Sequence, residues 1–426
     1  MAQPFPNHPN LRGGFAPLQM ECDVNDLVIE GEIPKELNGS FYRNGPNPQY
    51  APRGHYHWFG GDGMVHAFHI EDGQVDYRNR WVRTVKWHKE RAAGRSLFSA
   101  FNPMDNDPSV AGLETDGVAN TNIIWHGGKL LALEEGHAPF ELDPHTLESV
   151  GPHRYGGKLK GPMTAHPKID PENGEMLFFG YNANGTISEH MTFSVVDKDG
   201  NLLRSEAFAA PYAAMVHDFI VTRDHVIFPI MPLTGSLERA FEGGPVYAWE
   251  PDKGSHIGIM PRHGSVQDLQ WFYGEASYVF HPMNAYTTDD GKIVCDVCEY
   301  PEAPLFPGVD GKPGDPKKAL AKLARWTFDL NAQTDRYQVE QLHDLVCEFP
   351  RIDERRAGLP YRFGYIAGDT QPAAKVGGFN IIAAVDHHKG TLSSYDVGEG
   401  CATSEPIFVP RRVDAEEGDG FLLAYV

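Results

Sequence analysis

Residues 122–135, NIIWHGGKLLALEE, place two apolar runs of strand length on either side of His-Gly-Gly-Lys. Adjacent glycines break a helix and suit a tight turn, while Ile, Ile and Trp before them favour an extended backbone. The stretch reads as strand, turn, strand.

The same grammar runs outward in both directions. Apolar runs LVIEGEI (27–33), GSFYRNG, MVHAFHI, EMLFFGY, MTFSVVD, AMVHDFI (214–220), HVIFPIM, KIVCDVCEY, ARWTFDL, FNIIAAVD, EPIFVP and GFLLAYV (420–426) alternate with turn signals such as EDGQ, PENGE, DKDGN, TDDGK and HHKGT. The 45 glycines and 33 prolines are spread throughout, which favours many turns over long helices. The best helical segment is 315–326, DPKKALAKLARW, whose aspartate cap and adjacent proline mark it as an insertion between strands. Recurring hairpins without a composition break predict an all-β chain, either a sandwich pair or a propeller, forming one domain over 1–426. No exact repeat fixes a blade count.

A chain of 426 residues, 41% hydrophobic, can bury a large core. Its formal net charge of -21 repels phosphate backbones, and no Lys/Arg block carries interleaved aromatics, so nucleic acid is excluded as a partner. A small uncharged or apolar molecule fits better. The N-terminal segment has no basic and apolar signal-peptide pattern, and no apolar run is long enough to span a bilayer, so the expected location is the cytoplasm. Five cysteines, Cys22, Cys295, Cys298, Cys347 and Cys401, suit a reducing compartment. Cys295 and Cys298 form a C-x-x-C inside an extended run, where they point to opposite faces and serve the core rather than a metal.

Among 20 histidines, His8, His145, His153, His387 and His388 lie in polar, turn-like surroundings. His166, His217 and His281 instead sit in or at the end of apolar extended segments, separated by 217 − 166 = 51 and 281 − 217 = 64 residues. They meet only if separate β-units converge. Neutral imidazoles suit a divalent iron, zinc or copper ion that keeps open positions, and such ligands are held by a carboxylate on their second nitrogen. Glu135, Glu348 and Glu405 stand in apolar contexts that suit this task. The plain alternatives are a hydrogen-bonded core histidine at each position and solvent-facing glutamates on the strands.

The blocks GEIPKELNGSFYRNGPNP, HWFGGDGMVHAFHIEDG, ANTN, LALEEGHAPFELDPHTLESVG, TAHPKIDPENGEM, MVHDFIVT, FHPMNAY, CEFPRID and SEPIFVPR run in one order from about residue 28 to the last residue. In these blocks the chain resembles the carotenoid cleavage oxygenase family, which includes bacterial apocarotenoid and lignostilbene dioxygenases. The resemblance implies a seven-bladed β-propeller, a cap of loops and short helices, and Fe(2+) on the axis held by four histidines. His166, His217 and His281 match the first three ligands. Glu135 is implied to hold His217, Glu348 to hold His281, and Glu405 the fourth histidine; Thr121 in ANTN matches a threonine crowding an open iron position. The implied reaction adds dioxygen across a conjugated double bond and gives two carbonyl products.

Two departures qualify it. The family's fourth histidine lies well beyond the SEP glutamate, whereas this chain ends 426 − 405 = 21 residues after Glu405. No histidine follows His388. The sequence is therefore expected to be a C-terminally incomplete version of a longer protein, with GFLLAYV left as an unpaired edge of an incomplete last blade. As a product in its own right it is expected to bind iron weakly or not at all. Stilbene-cleaving members, which match VKWHKERAAGRSLF, grip a phenol with a tyrosine and a lysine whose places fall to Phe101 and Glu134 here. The expected substrate is accordingly an apocarotenoid rather than a hydroxystilbene, with Phe59 and Phe306 either lining its pocket or packing simply. An apolar substrate of this kind admits a peripheral membrane contact. The reading from another class is a non-catalytic propeller that binds an apolar ligand or a protein; a zinc or calcium hydrolase fits less well, since calcium wants oxygen ligands.

Overall fold

The structure is a computed structural model that describes residues 3–54, 56–100, 103–372 and 378–426. Phe101 lies outside the described residues. The chain is mostly β and divides into two compact units, Met1–Ala165 with Val196–Leu203, and His166–Val195 with Arg204–Val426.

In the first unit, Asn122–His126 pairs antiparallel with Lys129–Leu133 and leaves Gly127 and Gly128 as a two-residue loop. Both glycines have positive φ, 56° and 73°, as a turn matching the right-handed strand twist requires. Leu130 and Ala132 pack against Val65, Val82, Phe140 and Leu142 in a buried cluster. Phe140–Leu142 and Ser149–Pro152 complete this four-stranded sheet; a second sheet orders Cys22–Val24, Gln74–Trp81, Gly63–Glu71 and Gly39–Pro46.

In the second unit, one four-stranded sheet ends on the short edge strand Lys168–Ile169, paired with Met176–Gly180. Another ends on Ile220–Val221, paired with His225–Ile230. The largest sheet has seven antiparallel strands from Tyr278–Thr287 to Thr391–Asp396. Its 15-residue strand Gln338–Ile352 pairs with Lys322–Phe328 through its first part and with Phe363–Asp369 through its second. Ile293–Tyr300 in the same sheet is buried on both faces, Cys295 and Cys298 included, and the Cys298 and Cys347 Sγ atoms lie 3.9 Å apart.

Several expectations are corrected. Segment 315–326 is not a helix: Lys322–Phe328 is a strand hydrogen-bonded on both sides, and its fully buried Leu323, Trp326 and Phe328 outweigh the helical propensity of the lysines and alanines. Segment 27–33 is not a strand, and its Val28 is 96% exposed with no sheet face to cover it. AMVHDFI becomes a strand only at Ile220. GFLLAYV does have a partner, since Gly420–Leu423 pairs with Ile407–Pro410. His387 lies at a turn, but its side chain is 7% exposed and packs beside Tyr361 and Asp296. Val85–Ala93, the longer of the two α-helices among the described residues, is capped by the Thr84 hydroxyl and the left-handed Gly94. It lacks an apolar stripe because the residues it buries are Lys86 and Glu90, and Lys86 donates to Asp62 at 2.7 Å and to Glu90 at 2.9 Å.

Candidate metal centre

Each of the three histidines sits where strand order is broken. His166 lies in a bend, and Pro167 behind it disfavours helical backbone and offers no amide to a ladder. His217 lies in the irregular stretch before Ile220. His281 is inside Tyr278–Thr287, where pairing shifts register around Pro282, the position at which a strand tolerates proline.

These breaks turn the imidazoles toward one point. His166 Nε2 lies 3.0 Å from His217 Nε2, which lies 3.2 Å from His281 Nε2. One ring nitrogen from each falls within 4.8 Å of the others. A metal bonded to imidazole nitrogens at about 2.1 Å, with bonds near right angles, separates them by roughly 3 Å, so the trio fits a divalent ion. Burial first, and the neighbouring imidazoles second, hold His166 well below the ordinary histidine range, so it keeps its lone pair.

His281 is held from behind. Its Nδ1 is 2.6 Å from Glu348 Oε2, and the Tyr300 hydroxyl donates to Glu348 Oε1 at 3.1 Å. Burial disfavours the charged imidazole, but the Glu348 carboxylate outweighs it and raises the His281 pKa. The Nδ1–H tautomer that this contact selects leaves Nε2 free to ligate. Phe349 follows Glu348 with a φ of 52°, rare for a bulky residue, and lies 5.3 Å from the His281 ring. Phe280 stands edge-on to His217 at 5.1 Å, so phenyl rings wall the centre.

The other expected site residues have partners of their own, and Glu405 also acts electrostatically on His281. Glu405 accepts from Arg351 Nη1 at 3.0 Å, and Arg351 also binds Glu354 at 2.7 Å. Phe306 is buried against Tyr247. In the first unit, the Thr121 hydroxyl donates to Asn120 Oδ1 at 3.0 Å, and Asn120 Nδ2 donates to the Phe59 and Gly61 carbonyls at 2.7 Å. Thr121 and Phe59 are therefore braced by one amide. Glu135 is half-buried, and Glu134 binds His137. Arg351, Tyr300 and Phe349 were not singled out in the sequence, although Phe349 and Arg351 follow Glu348 within CEFPRID.

The family model described as retinal pigment epithelial membrane protein matches residues 15–426. The chain belongs to the carotenoid oxygenase family. It is 44% identical to an isoeugenol monooxygenase of Pseudomonas putida, over 99% of this chain and 90% of that protein. The lignostilbene dioxygenase structure of Pseudomonas brassicacearum superposes with a TM-score of 0.94 at 38% identity, covering 99% of this chain and 91% of that one. Cobalt-substituted apocarotenoid oxygenase of Synechocystis matches with a TM-score of 0.81 at 30% identity, over 96% and 88%. This carotenoid oxygenase family member is accordingly an oxygenase. Among its described residues no helix is long and apolar enough to cross a membrane.

Proposed function

We propose that this family member is an iron(II)-dependent dioxygenase that splits a carbon–carbon double bond conjugated to an aromatic ring into two carbonyl groups, working in the cytoplasm on a seven-bladed, capped propeller. The convergence of three Nε2 atoms at 3.0 and 3.2 Å carries the reading. Iron(II), when bound, supplies the electrons that let dioxygen react with an alkene. Alkene plus dioxygen accounts for every atom of the two carbonyl products. Three imidazoles suffice to hold a divalent ion, as His₃ sites do, though more loosely than four.

The remaining work falls to side chains of this chain. Glu348 keeps the His281 proton on Nδ1, and Phe280 and Phe349 exclude water from the centre. Thr121 is proposed to crowd an open position and Glu135 to hold His217. Phe59, Phe101, Glu134 and Phe306 are proposed to face substrate. An aryl alkene is preferred over the apocarotenoid first expected, because the relatives named for isoeugenol and lignostilbene are 44% and 38% identical and the apocarotenoid oxygenase 30%. A scaffold without chemistry would have no use for a buried carboxylate dedicated to one imidazole.

The test is oxygen uptake by the iron-loaded chain with isoeugenol, a hydroxystilbene and an apocarotenal. Aromatic aldehyde from the first two, lost in His217→Ala with the circular dichroism unchanged, is the expected result. Uptake with the apocarotenal alone would reverse the substrate assignment, and full activity of His217→Ala would remove the centre from the chemistry.

A further inference from the structure

Two ligand-bearing segments share a feature that the imidazoles do not explain. Lys168 follows His166 by two residues and opens the edge strand Lys168–Ile169, while Asp218 follows His217 directly and precedes the edge strand Ile220–Val221. Their side chains meet: Lys168 Nζ lies 2.7 Å from Asp218 Oδ1 and 3.0 Å from Oδ2. Asp218 is 4% exposed at its side chain and Lys168 24%. Asp218 Oδ1 also accepts the Phe219 amide at 2.7 Å, and the Lys168 ammonium sits 5.8 Å above the buried Phe219 ring.

The pair thus bridges the edges of two different sheets at the place where each contributes an imidazole. Neither His166 nor His217 lies in a strand ladder that would fix its position. A charge pair shielded from water is directional and resists separation, because opening it leaves a buried carboxylate unpaired. We infer that the Lys168–Asp218 ion pair is a clamp that sets the spacing of His166 and His217, making both positioning residues for the metal centre. The inference rests on the metal-centre reading above. It assigns the pair no contact with metal or substrate; it acts by holding two backbones in register, as outer partners of metal ligands commonly do.

The experiment is titration of the full chain with cobalt(II) against a competing chelator, with the visible cobalt spectrum recorded alongside thermal unfolding. Lys168→Met and Asp218→Asn are expected to bind cobalt about 10- to 100-fold more weakly than the unmodified chain and to shift its visible bands. Lys168→Arg, which can still pair with Asp218, is expected to restore both. Unchanged affinity and spectrum in the folded variants, with only the unfolding midpoint lowered, would show that the pair is purely structural and overturn the clamp. If Lys168→Met fails to fold, the isosteric Asp218→Asn decides the question by the same readings. Failure of the unmodified chain to bind cobalt would instead remove the metal-centre reading on which the clamp depends.

Discussion

Glu348 and His281 lie 67 residues apart in sequence and 2.6 Å apart in space, with the glutamate on the strand Gln338–Ile352 and the histidine on Tyr278–Thr287. A carboxylate at this distance orients the ring and sharpens the basicity of its far nitrogen. Glu348→Gln keeps the shape and removes the charge. Metal affinity is expected to fall about 10- to 100-fold while the fold persists, checked by chelator competition and near-ultraviolet circular dichroism.

Asp296 supports the largest sheet by a different means. Fully buried, it accepts Arg325 Nε at 2.7 Å, Arg325 Nη2 at 2.9 Å and the Tyr361 hydroxyl at 2.6 Å. Asp296→Ala removes the carboxylate shared by a mostly buried guanidinium and a buried phenol. Urea unfolding is expected to show a loss of about 3–5 kcal/mol, and a loss within error would mean that solvent reaches the cluster.

Asn120 makes two bonds to the Phe59–Gly61 turn and steadies the Thr121 hydroxyl. Asn120→Ala leaves two carbonyls short of a donor. About 2 kcal/mol of stability is expected to be lost, with a larger proportional fall in kcat/KM than Thr121→Ser produces. Steady-state kinetics at matched folded fraction test the ordering.

His66 gives the chain a pH dependence with a definite sign. Burial, with Arg43 a lesser cause, pushes its pKa down from 6.5 to about 4. Below pH 6.5 the unfolded chain takes up the proton that the folded chain refuses, so stability present at neutral pH is lost as the pH falls from 6.5 toward 4. Between pH 7 and 5 this amounts to about 2 kcal/mol. His66→Gln is expected to flatten that part of the profile in denaturant titrations, and an equally steep profile would place the titrating group elsewhere.

The legibility of this fold depended on how local each signal was. The hairpin at 122–135 could be read because Gly127 and Gly128 announce the turn themselves. The helix Val85–Ala93 could not, because its inward residues are charged and are satisfied by Asp62, which lies outside the helix in sequence. The strand Lys322–Phe328 was legible from its ARWTFDL run, while its lysine- and alanine-rich approach read as helix, and only pairing on both sides carries the strand back to Lys322. The three histidines stood out by their apolar surroundings, and the resemblance matched them to ligands. Lys168 and Asp218 lay next to those histidines throughout, but an ion pair between residues 50 apart has no sequence signature. Glu405 was read toward a histidine and is bound by Arg351 in this structure, a pairing across 54 residues that sequence spacing does not indicate.

The strand Gln338–Ile352 changes partners along its length, and Glu348 lies in the part paired with Phe363–Asp369. Only Val346 takes part in both pairings, so the two halves of the seven-stranded sheet are joined through the covalent chain of this one strand. In amide hydrogen exchange the strand should therefore lose protection in two parts, its beginning with Lys322–Phe328 and its end with Phe363–Asp369. The carboxylate that orients His281 belongs to the second, more buried part, so fraying that starts at the exposed beginning of the strand leaves its aim undisturbed.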